Sequence, residues 1–335
     1  MSVSGMEKKN LRKQVKNLTA PDWLVVITGP TAVGKTDISI EVAQRLQGEI
    51  VSCDSMQVYK YMDIGTAKPS AYEREIVPHH LIDVVTPDID FNVARFQELA
   101  EAAISDITSR GRIPVLVGGT GLYIKAVVDG FLFPWEGASK EIRESLEEEA
   151  AKKGSAALYA RLEEVDRPAA RKIHPNDARR IIRALEVYIT TGRPISEMWR
   201  EGRRKKRARF DRLVMVGLVR ERPALYERIN RRCDKMIELG LVEETRQLLD
   251  RGYGKTLTSG QALGYKEIVP YLKGECSLEE AVELIKRDTR RYAKRQLTWF
   301  RADPRIEWLD IGLFESKEDA ARCVLALVKG KMAAM

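Results

Sequence analysis

The sequence predicts an α/β fold in which a mainly parallel sheet is flanked by helices and interrupted by a helical insertion. Three observations lead there. Between Asp22 and about Pro134, apolar runs of strand length alternate with segments of helical period. From about 136 to 209 the chain is dense in charge and offers no convincing strand. Strand-like runs then return at "RLVMVGLV" and "RIEWLDI". Strands separated by helices indicate parallel pairing, because a parallel strand needs a crossover long enough to hold a helix.

In chain order, "WLVVIT" is a continuous apolar run, as expected of a strand covered on both faces, and "DISIEVAQRLQ" after it has helical period. "EIVSCDS", "HHLIDVV" and "RIPVLVGGT" read as the next strands, with the helix "NVARFQELAEAAISDITSRG" between the last two. The insertion reads as helices at "KEIRESLEEEAAKKG", "AALYARLEEV" and "NDARRIIRALEVYITTGRP", closed by the cationic run "REGRRKKRARFDR". "RLVMVGLV" restores the sheet, the helical "RPALYERINRRCDKMIELG" and "KRDTRRYAKRQLTWFR" follow, and "RIEWLDI" completes it. The expected organisation is a basic tail at 1–21, a discontinuous core at 22–135 and 210–312, an insertion at 136–209 and a C-terminal helix at 313–335.

Composition narrows the class. At 335 residues with 44% hydrophobic and 32% charged content, the chain can bury more than one core. The formal charge of +8 favours an anionic partner. No apolar run approaches the roughly 20 residues of a membrane span, and the first residues lack the apolar core of a secretory signal, so a cytoplasmic protein without membrane contact is expected. The 4 cysteines are far apart and have no zinc-ligand spacing, which suits reduced thiols.

"GPTAVGKT", residues 29 to 36, has the spacing G-x-x-x-x-G-K-[ST] between a strand and a helix. In such a phosphate loop, or P-loop, glycines let backbone N–H groups converge on phosphate oxygens, and the next helix adds the positive end of its dipole. Gly29, Thr31, Ala32, Val33, Gly34, Lys35 and Thr36 are therefore candidate phosphate ligands, with Lys35 as a mobile cation and the Thr36 hydroxyl as a ligand for Mg²⁺. The loop alone is compatible with a nucleoside triphosphate. A hydrolytic motor, however, also carries a strand ending in a carboxylate, and "RIPVLVGGTGLY" ends in Gly118, Gly119 and Thr120. Group transfer is the better expectation.

Asp54 and Ser55 fall at the C-terminal end of the second strand, where open α/β sheets bind ligands. Asp54 can act as a base, cap a helix or support Mg²⁺; Thr120 offers a hydroxyl or simply turns the chain; Lys68 reads first as a solvated side chain and otherwise as a phosphate or RNA contact. Arg228 and Arg232, spaced i and i+4, share a helical face.

Taken together, "GPTAVGKT", "SCDSMQVYKYMDIGTAKP", "HHLIDV", "PVLVGGTGLYIKAV", "NDARRIIRALEV", "SGQALGYKEI" and "AKRQLTWFR" resemble the bacterial tRNA dimethylallyltransferases, or isopentenyl transferases. The match runs in family order from about residue 24 to 301. Adenylate isopentenyltransferases share the phosphate loop, but the later motifs favour the tRNA enzymes. The resemblance implies a P-loop NTPase-like fold and a monomeric, Mg²⁺-dependent prenyltransferase. It would use dimethylallyl diphosphate to modify N6 of the adenosine immediately 3′ to the anticodon of tRNA. Asp54 would be the catalytic base, Thr120 would act near the reacting centre, and Arg228 and Arg232 would face the diphosphate channel, with Arg232 the one counted as catalytic. Asp54, Ser55, Met56, Gln57, Arg179, Arg180, Arg183 and the run Gln261, Ala262, Leu263, Gly264, Tyr265 and Lys266 match tRNA-contacting stretches, with the insertion clasping the anticodon stem-loop. Arg179 stands where relatives often have glutamine, and Gln261 and Lys266 replace arginines seen in some members. The run "GRRKKRAR" and the face of Arg290, Arg291, Lys294 and Arg295 suit phosphate contacts. A small-molecule kinase and a non-catalytic RNA-binding protein are the competing classes.

Overall fold

A computed structural model of the chain describes residues 23–130, 140–204, 210, 212–253 and 259–334. Six parallel strands form one sheet: β1 (Trp23–Thr28), β2 (Glu49–Ser52), β3 (His79–His80), β4 (Pro114–Gly118), β5 (Arg212–Val219) and β6 (Ile306–Asp310), in the order β3-β2-β4-β1-β5-β6. This is the parallel P-loop sheet the sequence predicts, with the strand that feeds the phosphate loop at its centre. Every residue of β1 is buried, which explains the unbroken apolar run "WLVVIT". The run "HHLIDVV" pairs over only two residues, His79 with Ile50 and His80 with Val51. The next residues turn away, and Leu81 and Asp83 adopt positive φ.

The helices are α1 (Lys35–Arg45), α2 (Ala71–Ile76), α3 (Val93–Ser109), α4 (Gly121–Asp129), α5 (Lys140–Lys153), α6 (Ser155–Val165), α7 (Arg167–Ala170), α8 (Ala178–Thr191), α9 (Ile195–Arg204), α10 (Arg222–Glu238), α11 (Leu241–Asp250), α12 (Tyr265–Leu272), α13 (Leu278–Arg301) and α14 (Lys317–Ala334). Two compact units result, Met1–Val128 with Phe210–Met335, and Asp129–Arg209.

In the first unit, β2 and β4 approach so closely beyond their paired residues that a Cβ on Gly118 would lie 2.1 Å from the Cys53 carbonyl oxygen. Only glycine fits there, and the approach brings the two strand ends, with Asp54 and Thr120, side by side. At the opposite end of β2, Glu49 is buried and pairs with Arg110 and His80. The Arg110 hydrogen bonds outweigh desolvation and hold the Glu49 carboxyl down to about 2.

The second unit has its own core around Leu158, Leu162, Ile181 and Leu185, and none of its described residues is a strand. Asp166 fastens two turns, accepting from the amides of Ala169 and Ser196. Helix α8 buries Ile181, Ile182 and Leu185 and leaves Arg179 and Arg180 exposed.

Candidate active site

The phosphate loop folds as its glycines require. Gly34 enters α1 at φ 112°, a left-handed conformation that a side chain would oppose. Lys35 curls over its own loop, its Nζ donating to the carbonyls of Gly29 at 3.0 Å and Pro30 at 2.8 Å. Burial first, and then the charge of Arg232, lower its pKa to about 8, with Asp54 pulling the other way. Arg228 Nε donates to the Ala32 carbonyl at 3.0 Å, and Arg220 Nε donates to that of Val33 at 3.2 Å. The two guanidiniums thus hold the loop's outward carbonyls. Arg228, expected on the diphosphate channel, has its Nε committed to the loop itself.

A cavity of about 270 Å³ opens beside this loop, lined by Thr31, Asp54, Ser55, Met56, Arg232 and Lys266 among others. Asp54 stands just beyond β2, and its Oδ1 accepts from the amides of Met56 at 2.8 Å and Gln57 at 3.3 Å. The carboxylate is therefore fixed by a turn of its own chain rather than by a helix terminus, and among the described residues Oδ2 has no partner. Thr120 Oγ1 accepts from the Ser55 amide at 3.2 Å, and its hydroxyl also meets Tyr292. Arg232 is half-buried in the lining of the same cavity, its guanidinium 3.5 Å from the Thr66 carbonyl, and burial lowers its pKa. Tyr292 is raised to about 12, chiefly by burial and then by the charge of Asp54.

Gln296 was not anticipated. Its Oε1 accepts from the Thr31 amide at 2.8 Å and its Nε2 donates to the Gly119 carbonyl at 2.9 Å, so one carboxamide joins the phosphate loop to the turn that carries Thr120. Arg220 and Tyr292 were missed as well. The partners of all three lie far away in sequence.

Of the residues expected to face RNA, Ser55, Met56, Gln261, Ala262, Leu263, Gly264 and Lys266 line the cavity. Gln57 and Tyr265 do not. The Gln57 carboxamide braces the loop from inside, accepting from Ser52 Oγ and donating to the Thr66 and Ala67 carbonyls. Tyr265 is buried, with its hydroxyl between the Gly65 amide and the Glu244 carboxylate. Lys68 is neither solvated nor a phosphate contact, because its buried ammonium pairs with Asp63 and Asp83.

In the second unit, Arg180 pairs with Asp177, and Arg183 pairs with the buried Glu186, which also receives Arg143. On α13, Arg290 donates to Asn230 Oδ1, while Arg295 lines the cavity beside Tyr292. The tail 1–21, residues 205–209 of the cationic run and the side chains of residues 202–204 lie outside what the structure describes.

Among the described residues, no group of three or more His, Cys, Asp or Glu could cage a metal ion. Mg²⁺ does not need such a cage, since it commonly binds through one or two protein oxygens together with substrate phosphates. The Thr36 hydroxyl on the first turn of α1 has no protein partner among the described residues and fits that mode.

A family model described as isopentenyl transferase matches residues 23–83, and one described as IPP transferase matches residues 57–303. The chain belongs to the IPP transferase family. A tRNA dimethylallyltransferase of Carboxydothermus hydrogenoformans is 56% identical over 289 residues, covering 86% of this chain and 92% of that protein. The full-length tRNA isopentenylpyrophosphate transferase of Bacillus halodurans has a similar crystal structure, with TM-score 0.70 and 46% identity over 93% of this chain and 97% of that one. A eukaryotic dimethylallyltransferase acting on tRNA matches with TM-score 0.77 and 31% identity, covering 93% of this chain and 79% of its own. The IPP transferase match takes in Thr120, Arg232 and the α13 residue Gln296, and the isopentenyl transferase match takes in the phosphate loop and Asp54. No described helix is long and apolar enough to cross a membrane.

Proposed function

We propose that this enzyme transfers a dimethylallyl group from dimethylallyl diphosphate to N6 of the adenosine immediately 3′ to the anticodon, in tRNAs that read codons beginning with U. The observation that carries this reading is one cavity holding Asp54, with Oδ2 unpartnered, and Arg232 beside the phosphate loop. Lys35, Arg232 and the loop amides suit a diphosphate leaving group, and Asp54 suits a proton acceptor.

An exocyclic adenine amine is a weak nucleophile because its lone pair is delocalised into the ring. As the bond from N6 to the allylic carbon forms, the bond from that carbon to the diphosphate oxygen breaks, and its electron pair leaves with the diphosphate. The N6 proton passes to Asp54 Oδ2. Thr120 is held by the Ser55 amide, one residue from Asp54, and keeps its hydroxyl at the same strand end. Lys35 and Arg232 offset the negative charge that grows on the leaving group. Thr36 would hold Mg²⁺ together with the diphosphate, and the ion would further neutralise that charge. The target base reaches the cavity splayed out of its loop, at an unstacking cost of about a few kcal/mol. The enzyme acts as a cytoplasmic monomer.

Incubation of unmodified tRNA with either labelled dimethylallyl diphosphate or γ-labelled ATP, with Mg²⁺, tests the assignment. Label entering RNA from the prenyl donor supports it. Phosphate transfer from ATP without prenyl transfer would identify a kinase instead.

A further inference from the structure

Tyr61 occupies a conformation that a bulky side chain rarely adopts. Its φ is 66°, in the left-handed region that favours glycine, and yet the residue is 45% exposed. Strain at an exposed position is retained only when the surrounding structure imposes it. Here the loop is fastened from beneath: the Glu244 carboxylate accepts from the amides of Asp63, Ile64 and Gly65, and Lys68 binds Asp63 and the Tyr59 carbonyl.

The exposed ring is not alone. Tyr253 stacks with it at 6.2 Å between centroids and 12° between planes, and the Arg251 guanidinium lies 4.6 Å from its centroid. The nearby acids are engaged elsewhere, Asp63 by Lys68, Glu243 by Arg246 and Glu244 by the loop amides. Arg251 makes no ion pair among the described residues, so the cluster presents a cation together with two aromatic rings.

Tyr61 and Arg251 line a depression of about 380 Å³ together with Asp63, Glu243 and Glu244, and Tyr253 lines the one that adjoins the active-site cavity. Lys266 lines both that cavity and a neighbouring depression of about 160 Å³, whose wall includes Met62, Tyr265 and Tyr253. Gly65 and Thr66, in the same loop as Tyr61, line the active-site cavity itself.

We propose that Tyr61, Arg251 and Tyr253 form a stacking platform for a single-stranded nucleotide of the substrate RNA next to the target adenosine. Aromatic rings beside an arginine suit any base, because every base has a π face and arginine adds a cation–π contribution. The platform rests on the tRNA-prenylation reading. It would hold the flanking nucleotide while the target base lies in the cavity.

The test uses the full-length enzyme and an anticodon stem-loop carrying 2-aminopurine on one or the other side of the target adenosine. Tyr61→Gly should weaken RNA binding about tenfold, the scale of one lost base–aromatic stack, and abolish the fluorescence quenching seen with the wild type. Tyr61→Trp should retain both. The slope of affinity against salt should not change, because no phosphate contact is removed. The Tm of Tyr61→Gly should stay within about 2 °C of wild type, since relief of the left-handed strain offsets the lost ring contacts. Unchanged RNA affinity in Tyr61→Gly, with the wild type still prenylating tRNA, would overturn the platform while leaving the enzymatic assignment intact. A donor-free enzyme that dimerises, and becomes monomeric in Tyr61→Gly, would make the surface a self-interface and also overturn it.

Discussion

Gln296 accepts a hydrogen bond from the Thr31 amide at 2.8 Å across 265 residues of chain. With its other end on the Gly119 carbonyl, it fixes the distance between the phosphate loop and the turn that carries Thr120. Gln296→Met should leave the fold intact and lower kcat by on the order of 10²-fold, because small misplacements of reacting groups have effects of that size. Gln296→Glu keeps the acceptor for Thr31 but cannot donate to Gly119, so it should retain the donor KM while losing kcat. A double variant with Thr120→Val should be markedly less than additive, as steady-state kinetics on the four enzymes will show.

Asp54 has two separable tasks. Asp54→Asn preserves an oxygen for the Met56 and Gln57 amides and so keeps the turn, but removes the proposed proton acceptor. Single-turnover transfer should slow by about 10² to 10⁴ fold with tRNA affinity and Tm unchanged. Asp54→Ala should lose the turn as well and show a lower Tm.

Lys35 has a pKa of about 8 without donor because it is buried and faces Arg232. A bound diphosphate stabilises its ammonium and raises that value. Above pH 8, therefore, donor binding takes up a proton, and affinity declines as pH rises, by at most about tenfold per unit for a single proton. Calorimetry in buffers of different ionisation enthalpy will detect the uptake, and Lys35→Met should abolish it.

Glu49 clamps the sheet away from the site. Its folded-state value of about 2 lies below its ordinary 4.5, so its contribution is fully present above pH 4.5 and is lost as pH falls toward 2. Glu49→Gln should destabilise the protein by about 2 kcal/mol at neutral pH, the scale of a hydrogen bond to a charged group. The difference from wild type should shrink in acid, as denaturant titrations at several pH values will show.

Much of this was legible in the chain itself, for local reasons. "GPTAVGKT" specifies its loop because glycine positions and strand–helix context act within a few residues, and Asp54 follows from its place at a strand end. The parallel sheet is written in β1 and β5, whose buried faces leave nearly unbroken apolar runs. By contrast, "HHLIDVV" looks like a long strand, yet pairing stops after His80, because Leu81 and Asp83 turn into the left-handed region. Gln296, Arg220 and Glu244 gave no signal because their partners are backbone groups that only the fold brings near. The internal partners of Lys68 and Gln57 were illegible for the same reason, since the fold alone brings Asp83 to Lys68 and the Thr66 carbonyl to Gln57.

The most direct test is to digest tRNA after a single turnover and locate the product by mass spectrometry, for wild type and Asp54→Asn. The account predicts one N6-dimethylallyl adenosine immediately 3′ to the anticodon with wild type, and almost none with Asp54→Asn at equal donor and tRNA occupancy. Prenylation at another base, or an Asp54→Asn enzyme as fast as wild type, would contradict it.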